Sequence, residues 1–77
     1  MREEKIIVAV GTQFALVERV SVISIGLQSV GRIDFGDYNY PIFKGCTFEE
    51  SQKVDKLFDS GTVEVHQLSD YNTYYNK

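Results

Sequence analysis

The chain has 77 residues, 43 % hydrophobic and 25 % charged, with a net charge of −3. That composition is globular rather than disordered, and a chain this short hides only roughly 60 % of its unfolded surface, so it makes one domain with a small core. One cysteine and one histidine cannot supply an intramolecular disulfide or a compact structural zinc site, and no metal or cofactor set is expected.

Eight basic residues are scattered among eleven acidic ones. Such a chain lacks the clustered Lys and Arg that bind a phosphate backbone, which argues against duplex nucleic acid as the main partner. Small scaffolds without disulfide or metal often gain stability from a second subunit, so a homo-oligomer is expected. The charged start Met1-Arg2-Glu3-Glu4-Lys5 precedes an apolar run of only Ile6 to Val10. That run is too short for a signal-peptide core or a membrane span. A single unpaired cysteine suits a reducing compartment, and the expected location is cytoplasmic, away from membranes.

Residues 5–10 (Lys-Ile-Ile-Val-Ala-Val) are a continuous run rich in β-branched residues, ended by Gly11. They predict a central strand covered on both faces. Residues 14–25 carry Val17, Val20, Val22, Ile23 and Ile25, which favour strand, with a bend or bulge near Glu18-Arg19. A helical stripe through Leu16, Val17, Val20, Ile23 and Leu27 competes with that reading. Gly26 and Gln28-Ser29-Val30-Gly31 mark a turn. Arg32-Ile33-Asp34-Phe35 then alternates polar and apolar, as a half-solvated strand does.

The stretch Asp34-Phe35-Gly36-Asp37-Tyr38-Asn39-Tyr40-Pro41-Ile42-Phe43 packs four aromatics, two carboxylates and the only proline into ten residues. It reads as an aromatic turn, with Tyr40 to Phe43 as a short strand closed by Lys44-Gly45. Thr47-Phe48-Glu49-Glu50 is a capping box that opens a surface helix from about 48 to 60, with Val54, Leu57 and Phe58 facing inward and Gly61 ending it. Thr62 to Leu68 alternates as a strand, with Val63 and Val65 on one side and Thr62, Glu64 and His66 on the solvent side. The polar, tyrosine-rich residues 69–77 predict a frayed tail after a compact domain of residues 1–68. The fold class expected is therefore α+β: a small, mostly antiparallel sheet of four to five strands with one surface helix.

Chemistry is thinly represented. Asp34-Phe35-Gly36 spells a kinase metal-binding tripeptide but lacks the loops and lysine a kinase needs, so it reads as a strand end entering a turn. His66 could pair with Glu64 on a shared strand face as a general base; a solvent-facing histidine explains the same residues. Cys46 precedes a helix N-terminus, where thiols are activated, but Glu49 and Glu50 oppose a thiolate and a buried structural cysteine is expected. The same carboxylates would repel a phosphate at that helix. No catalytic set emerges, and the chain is read as a non-enzyme.

The surviving candidates are the aromatics. Asp34, Asp37, Tyr38, Tyr40 and Phe43 form an expected partner-binding surface, with the rings as anchors and the carboxylates as a rim. Phe35 and Phe43 also suit the core. The leading expectation is a small acidic module, of phage or bacterial type, that binds and inhibits another protein. A second is a homo-oligomer that binds a nucleotide-like small molecule through Arg32, Tyr38, Tyr40 and Lys44. A third is a small β-barrel that binds single-stranded nucleic acid on the same aromatics, although it lacks a basic groove.

Overall fold

The computed structural model describes residues 4–76. Its elements in chain order are β1 (Lys5–Val10), β2 (Gln13–Glu18), α1 (Arg19–Val22), β3 (Gln28–Phe35), β4 (Tyr38–Lys44), α2 (Phe48–Asp59), β5 (Val65–Gln67), a 3-10 turn (Leu68–Asp70) and β6 (Thr73–Tyr75). The strands form one six-stranded sheet in the order β5-β2-β1-β4-β3-β6. Two hairpins, β1–β2 and β3–β4, lie side by side, and their inner strands β1 and β4 run parallel with Ile7 beside Ile42. The α+β class holds, but the sheet is mixed and has six strands rather than four or five. Among the described residues no helix is long and apolar enough to cross a membrane.

The run in β1 is buried on both faces as its composition predicts. Ile6 and Val8 join a cluster with Ala15, Val17, Val22 and Val54, between the sheet and α2. Ile7 and Ala9 face the other way, with Phe14, Ile33 and Ile42. Alternation along one strand thus feeds two cores. The β3–β4 hairpin turns at Gly36-Asp37, where Gly36 has φ +66°; among the described residues no non-glycine has a positive φ. A left-handed residue at the first central position is the backbone a two-residue hairpin needs to match strand twist.

Residues 14–25 are not one strand. β2 ends at Glu18, and Arg19–Val22 make a single helical turn, with the Arg19 amide donating to the Glu4 carbonyl at 2.7 Å. Only Val22 of that turn is buried, while Val20 and the following Ile23 are 75 % and 73 % exposed. Their β-branched side chains express a local preference that the path to β3 overrides. The irregularity expected near Glu18-Arg19 is therefore the end of a strand. The bulge lies instead in β3, between Ser29 and Gly31.

Helix α2 follows its sequence signature. Glu50 N–H donates to the Thr47 hydroxyl and Thr47 N–H donates to Glu50 Oε1, both at 3.1 Å, while Val54 is buried against the sheet.

The C-terminal residues are the second departure. Within the segment expected to fray, Thr73–Tyr75 pair antiparallel with Ile33–Gly31 of β3. β5 pairs with β2 at the opposite edge of the sheet. Between them Leu68 N–H donates to the Thr12 carbonyl at 2.8 Å, and Asp34 N–H donates to the Asn72 carbonyl at 2.9 Å. Residues 65–76 therefore tie the two edges together and hold the sheet in a curl. Phe14 of β2 and Phe35 of β3, which are three strands apart in the sheet order, meet edge to face at 5.6 Å inside that curl.

Candidate functional site

The β3–β4 hairpin presents two chemically different faces, because residues directly opposed across a ladder share a face and the faces alternate. Phe35 opposes Tyr38 and Ile33 opposes Tyr40, which puts these four on the inner, aromatic side. Arg32 opposes Pro41 and Asp34 opposes Asn39, which puts these on the outer side.

On the aromatic side, Tyr38 is 69 % exposed and its ring lies 6.1 Å from Tyr40, which lies 6.4 Å from Phe35. Phe35 in turn packs on Tyr71 and His66, each at 5.2 Å. The exposed tyrosine is thus the outermost ring of a continuous series rooted in the inner core. Asp37 is exposed at the turn beside it.

On the outer side a hydrogen-bonded chain crosses three strands. The Arg32 guanidinium donates to the Asn39 side-chain oxygen and, at 2.8 Å, to its backbone carbonyl. The Asn39 amide donates to Asp34 Oδ1 at 2.8 Å, and the Tyr74 hydroxyl donates to Asp34 Oδ2 at 2.7 Å. The Asn39 amide and then the Tyr74 hydroxyl stabilise the charged carboxylate, so the Asp34 pKa falls below its ordinary value. The same hydrogen bond and the nearby negative charge raise the pKa of Tyr74.

The sequence-derived partner surface is brought together in part. Asp37, Tyr38 and Tyr40 cluster at the hairpin, and Asp34 lies on the opposite face of the same hairpin. Phe43 belongs elsewhere: it packs on the α2 side of the sheet, beneath the Arg19 guanidinium at 5.4 Å. The ligand set is split. Arg32 is on the outer face while Tyr38 and Tyr40 are on the inner one, and Lys44, opposite Gln28, lies six residues from Tyr38, roughly 20 Å along the strand. One small ligand cannot touch all four.

His66 is not solvent-facing. Its ring packs on Phe14, Phe35 and Tyr71, with centroids 5.4, 5.2 and 5.9 Å away, and its Nε2 lies 3.3 Å from Glu64 Oε1. Pairing of β5 with β2 sets His66 opposite Phe14 and so turns it inward. The Glu64 contact anticipated from spacing forms, at the rim of an aromatic cluster. Cys46 is exposed rather than buried, because it lies just outside the α2 cap, where its N–H donates to Glu50 Oε1 at 2.7 Å. Among the described residues no group of three His, Cys, Asp or Glu side chains is placed to hold a metal ion.

Sequence reasoning passed over Asn39, Tyr71 and Tyr74, which link the hairpin to the C-terminal segment. The available signal was Thr73-Tyr74-Tyr75, three residues that favour strands; without polar-apolar alternation it was too short to stand out. No protein-family model matches the chain, and no curated protein and no solved structure matches it.

Proposed function

We propose that this chain is a non-catalytic interaction module that binds another protein through the end of its β3–β4 hairpin. Tyr38 and Tyr40 are the anchors and Asp37 the polar rim. The observation that carries this reading is Tyr38 itself: a large ring, 69 % exposed, braced by Tyr40 and through it by Phe35. A tyrosine held by its neighbours offers much contact area at low entropic cost, plus a hydroxyl to orient the partner. The acidic turn and the net charge of −3 favour a neutral or basic partner surface. A rigid hairpin seated on a working surface of the partner inhibits it by occupying that surface.

The test is a photo-crosslinking amino acid at position 38 in cells that naturally make the protein, with position 20 as an exposed control. Crosslinking of a distinct protein from position 38 alone is expected. With that protein in hand, Tyr38→Ala should weaken binding by about 30-fold, as truncation of a central anchor does. Crosslinks only to further copies of the chain would reassign the surface to self-association. No position-38 product, or unchanged affinity in Tyr38→Ala, would remove the hairpin from the function.

A further inference from the structure

We propose that two copies of this chain pair through the helical turn α1 and the cleft beside it, so that Val20 of each copy enters the cleft of the other. The pairing is independent of what Tyr38 binds.

Among the described residues the exposed large hydrophobics are four aromatics and two aliphatics, Val20 and Ile23, at 75 % and 73 %. Three of the aromatics are tyrosines, whose hydroxyls give water a polar tip to solvate. Val20 and Ile23 offer none. They lie three residues apart, and Ile23 keeps the helical backbone of α1 (φ −62°, ψ −27°), so both project from one side of the turn. Single exposed aliphatics are ordinary, but an adjoining pair beside an apolar cleft is a patch of the kind that marks an interface.

The cleft has a volume of about 150 Å³ and is lined chiefly by Ile6, Val22, Ile23, Leu27 and Phe43, with the Arg19 guanidinium over the Phe43 ring at its side. Ile6 and Val22 are buried members of the α2-side core, so the floor of the cleft is packed rather than loose. A void of that size takes a benzene-sized group, and a valine side chain is no larger. The patch thus carries both a projecting group and a recess that fits it.

That combination selects a second copy as the occupant. In a twofold contact the same surface serves both copies, so a projection and its recess must share one patch, and the pair then closes. An unrelated protein would have to fill the cleft and also supply pockets for Val20 and Ile23; a second copy does both. Glu18 and Arg19 put both signs of charge at the rim, so a twofold arrangement sets each against its opposite. A membrane fits less well, because α1 is a single turn and a chain of net charge −3 is repelled by anionic lipid.

The pairing leaves Tyr38 clear. Tyr38 lies five residues from Phe43 on β4, roughly 17 Å along the strand, and the two side chains are on opposite faces of the sheet. The pair therefore displays two hairpins, and a target with two matching sites is held by both at raised effective concentration.

Sedimentation equilibrium of the full chain, from about 1 μM to about 1 mM, is the test. The mass should rise to twice that of the chain and stop there. Val20→Asp, which forces a carboxylate into the apolar cleft, should weaken pairing at least about 30-fold. Because Val20 is exposed in the single chain, the variant should keep its circular dichroism spectrum. On dilution of the unaltered chain, the methyl NMR signals of Val22 and Leu27 should move while the ring signals of Tyr38 stay in place. A single-chain mass throughout the range overturns the proposal, and so does a dimer unweakened by Val20→Asp. Masses that climb beyond two copies overturn the closed pair. Should Val20→Asp lose its spectrum, the dilution experiment decides: shifts at Tyr38 without shifts at Val22 and Leu27 overturn the proposal. The Tyr38 crosslinking calls for a distinct protein, whereas this assay holds only the chain, so either fails alone.

Discussion

Asp34 accepts from two donors on different strands, the Asn39 amide of β4 and the Tyr74 hydroxyl of β6. Both favour its ionised form, and its pKa moves below 3.8. Tyr74 is favoured neutral and its pKa moves above 10.0. The signs define a window. The Asp34 contribution is present above pH 3.8 and is lost as pH falls through the lowered folded value. The Tyr74 contribution is present below pH 10.0 and is lost as pH rises through the raised folded value. Amide protection at position 74 and at Asn76, whose N–H groups face β3, followed by NMR, should therefore decline at both extremes. Tyr74→Phe should abolish the alkaline decline while leaving Asp34 with its Asn39 partner. An alkaline decline unchanged in Tyr74→Phe would assign it to another group. The acidic hairpin was legible as a run of residues, but its division into two faces was not, since that depends on the register that opposes Asp34 to Asn39 and Phe35 to Tyr38.

At the scale of elements, α2 was the most legible because its determinants are local. Thr47, Glu50 and Gly61 lie within one short stretch, and the cap forms with both reciprocal bonds. Thr47→Ala should cost about 1 kcal/mol and lower the midpoint of thermal unfolding by roughly 4–8 °C, measured by circular dichroism. A smaller loss in Glu50→Ala than in Thr47→Ala would argue against the reciprocal cap, because Glu50 accepts from the backbone amides of both Cys46 and Thr47. The opposite case is the stretch from Phe14 to Ile25. Its β-branched residues favour strand throughout, yet the chain turns after Glu18 because it must leave β2 and reach the start of β3. Strand propensity is mostly a record of packing against neighbours, and Val20 and Ile23 have few. β6 shows the converse: three strand-forming residues that become a strand because β3 offers them an edge.

Across the whole molecule, closure of the curl depends on residues far apart in sequence. Tyr71 reaches Phe14, Phe35 and His66, which lie on β2, β3 and β5. It is thus the ring through which the C-terminal segment grips both halves of the sheet. Tyr71→Ala should destabilise the chain by about 2–3 kcal/mol, read from urea unfolding, which is below the value for a fully buried ring because Tyr71 is half-buried. The variant should also lose amide protection in β5 and β6 together, since both strands flank this anchor. Protection lost in β6 alone would locate the closure in the outer-face hydrogen bonds instead. For the proposed function this closure matters directly, because Tyr38 is presented by a series of rings that ends on the same cluster.

By itself the sequence determined the two-faced burial of β1, the capped helix and a turn at Gly36, though the strand after that turn starts at Tyr38 rather than at Tyr40 as expected. Each follows from neighbouring residues or from composition, where backbone preference and short-range hydrogen bonds decide. Only the tertiary structure decided the parallel pairing of β1 with β4, the end of β2 at Glu18, the inward turn of His66 and the conversion of residues 73–75 into a strand. Those features depend on which edges and rings meet after the sheet curls. Contacts between residues separated by tens of positions leave no periodic trace in the segments that make them.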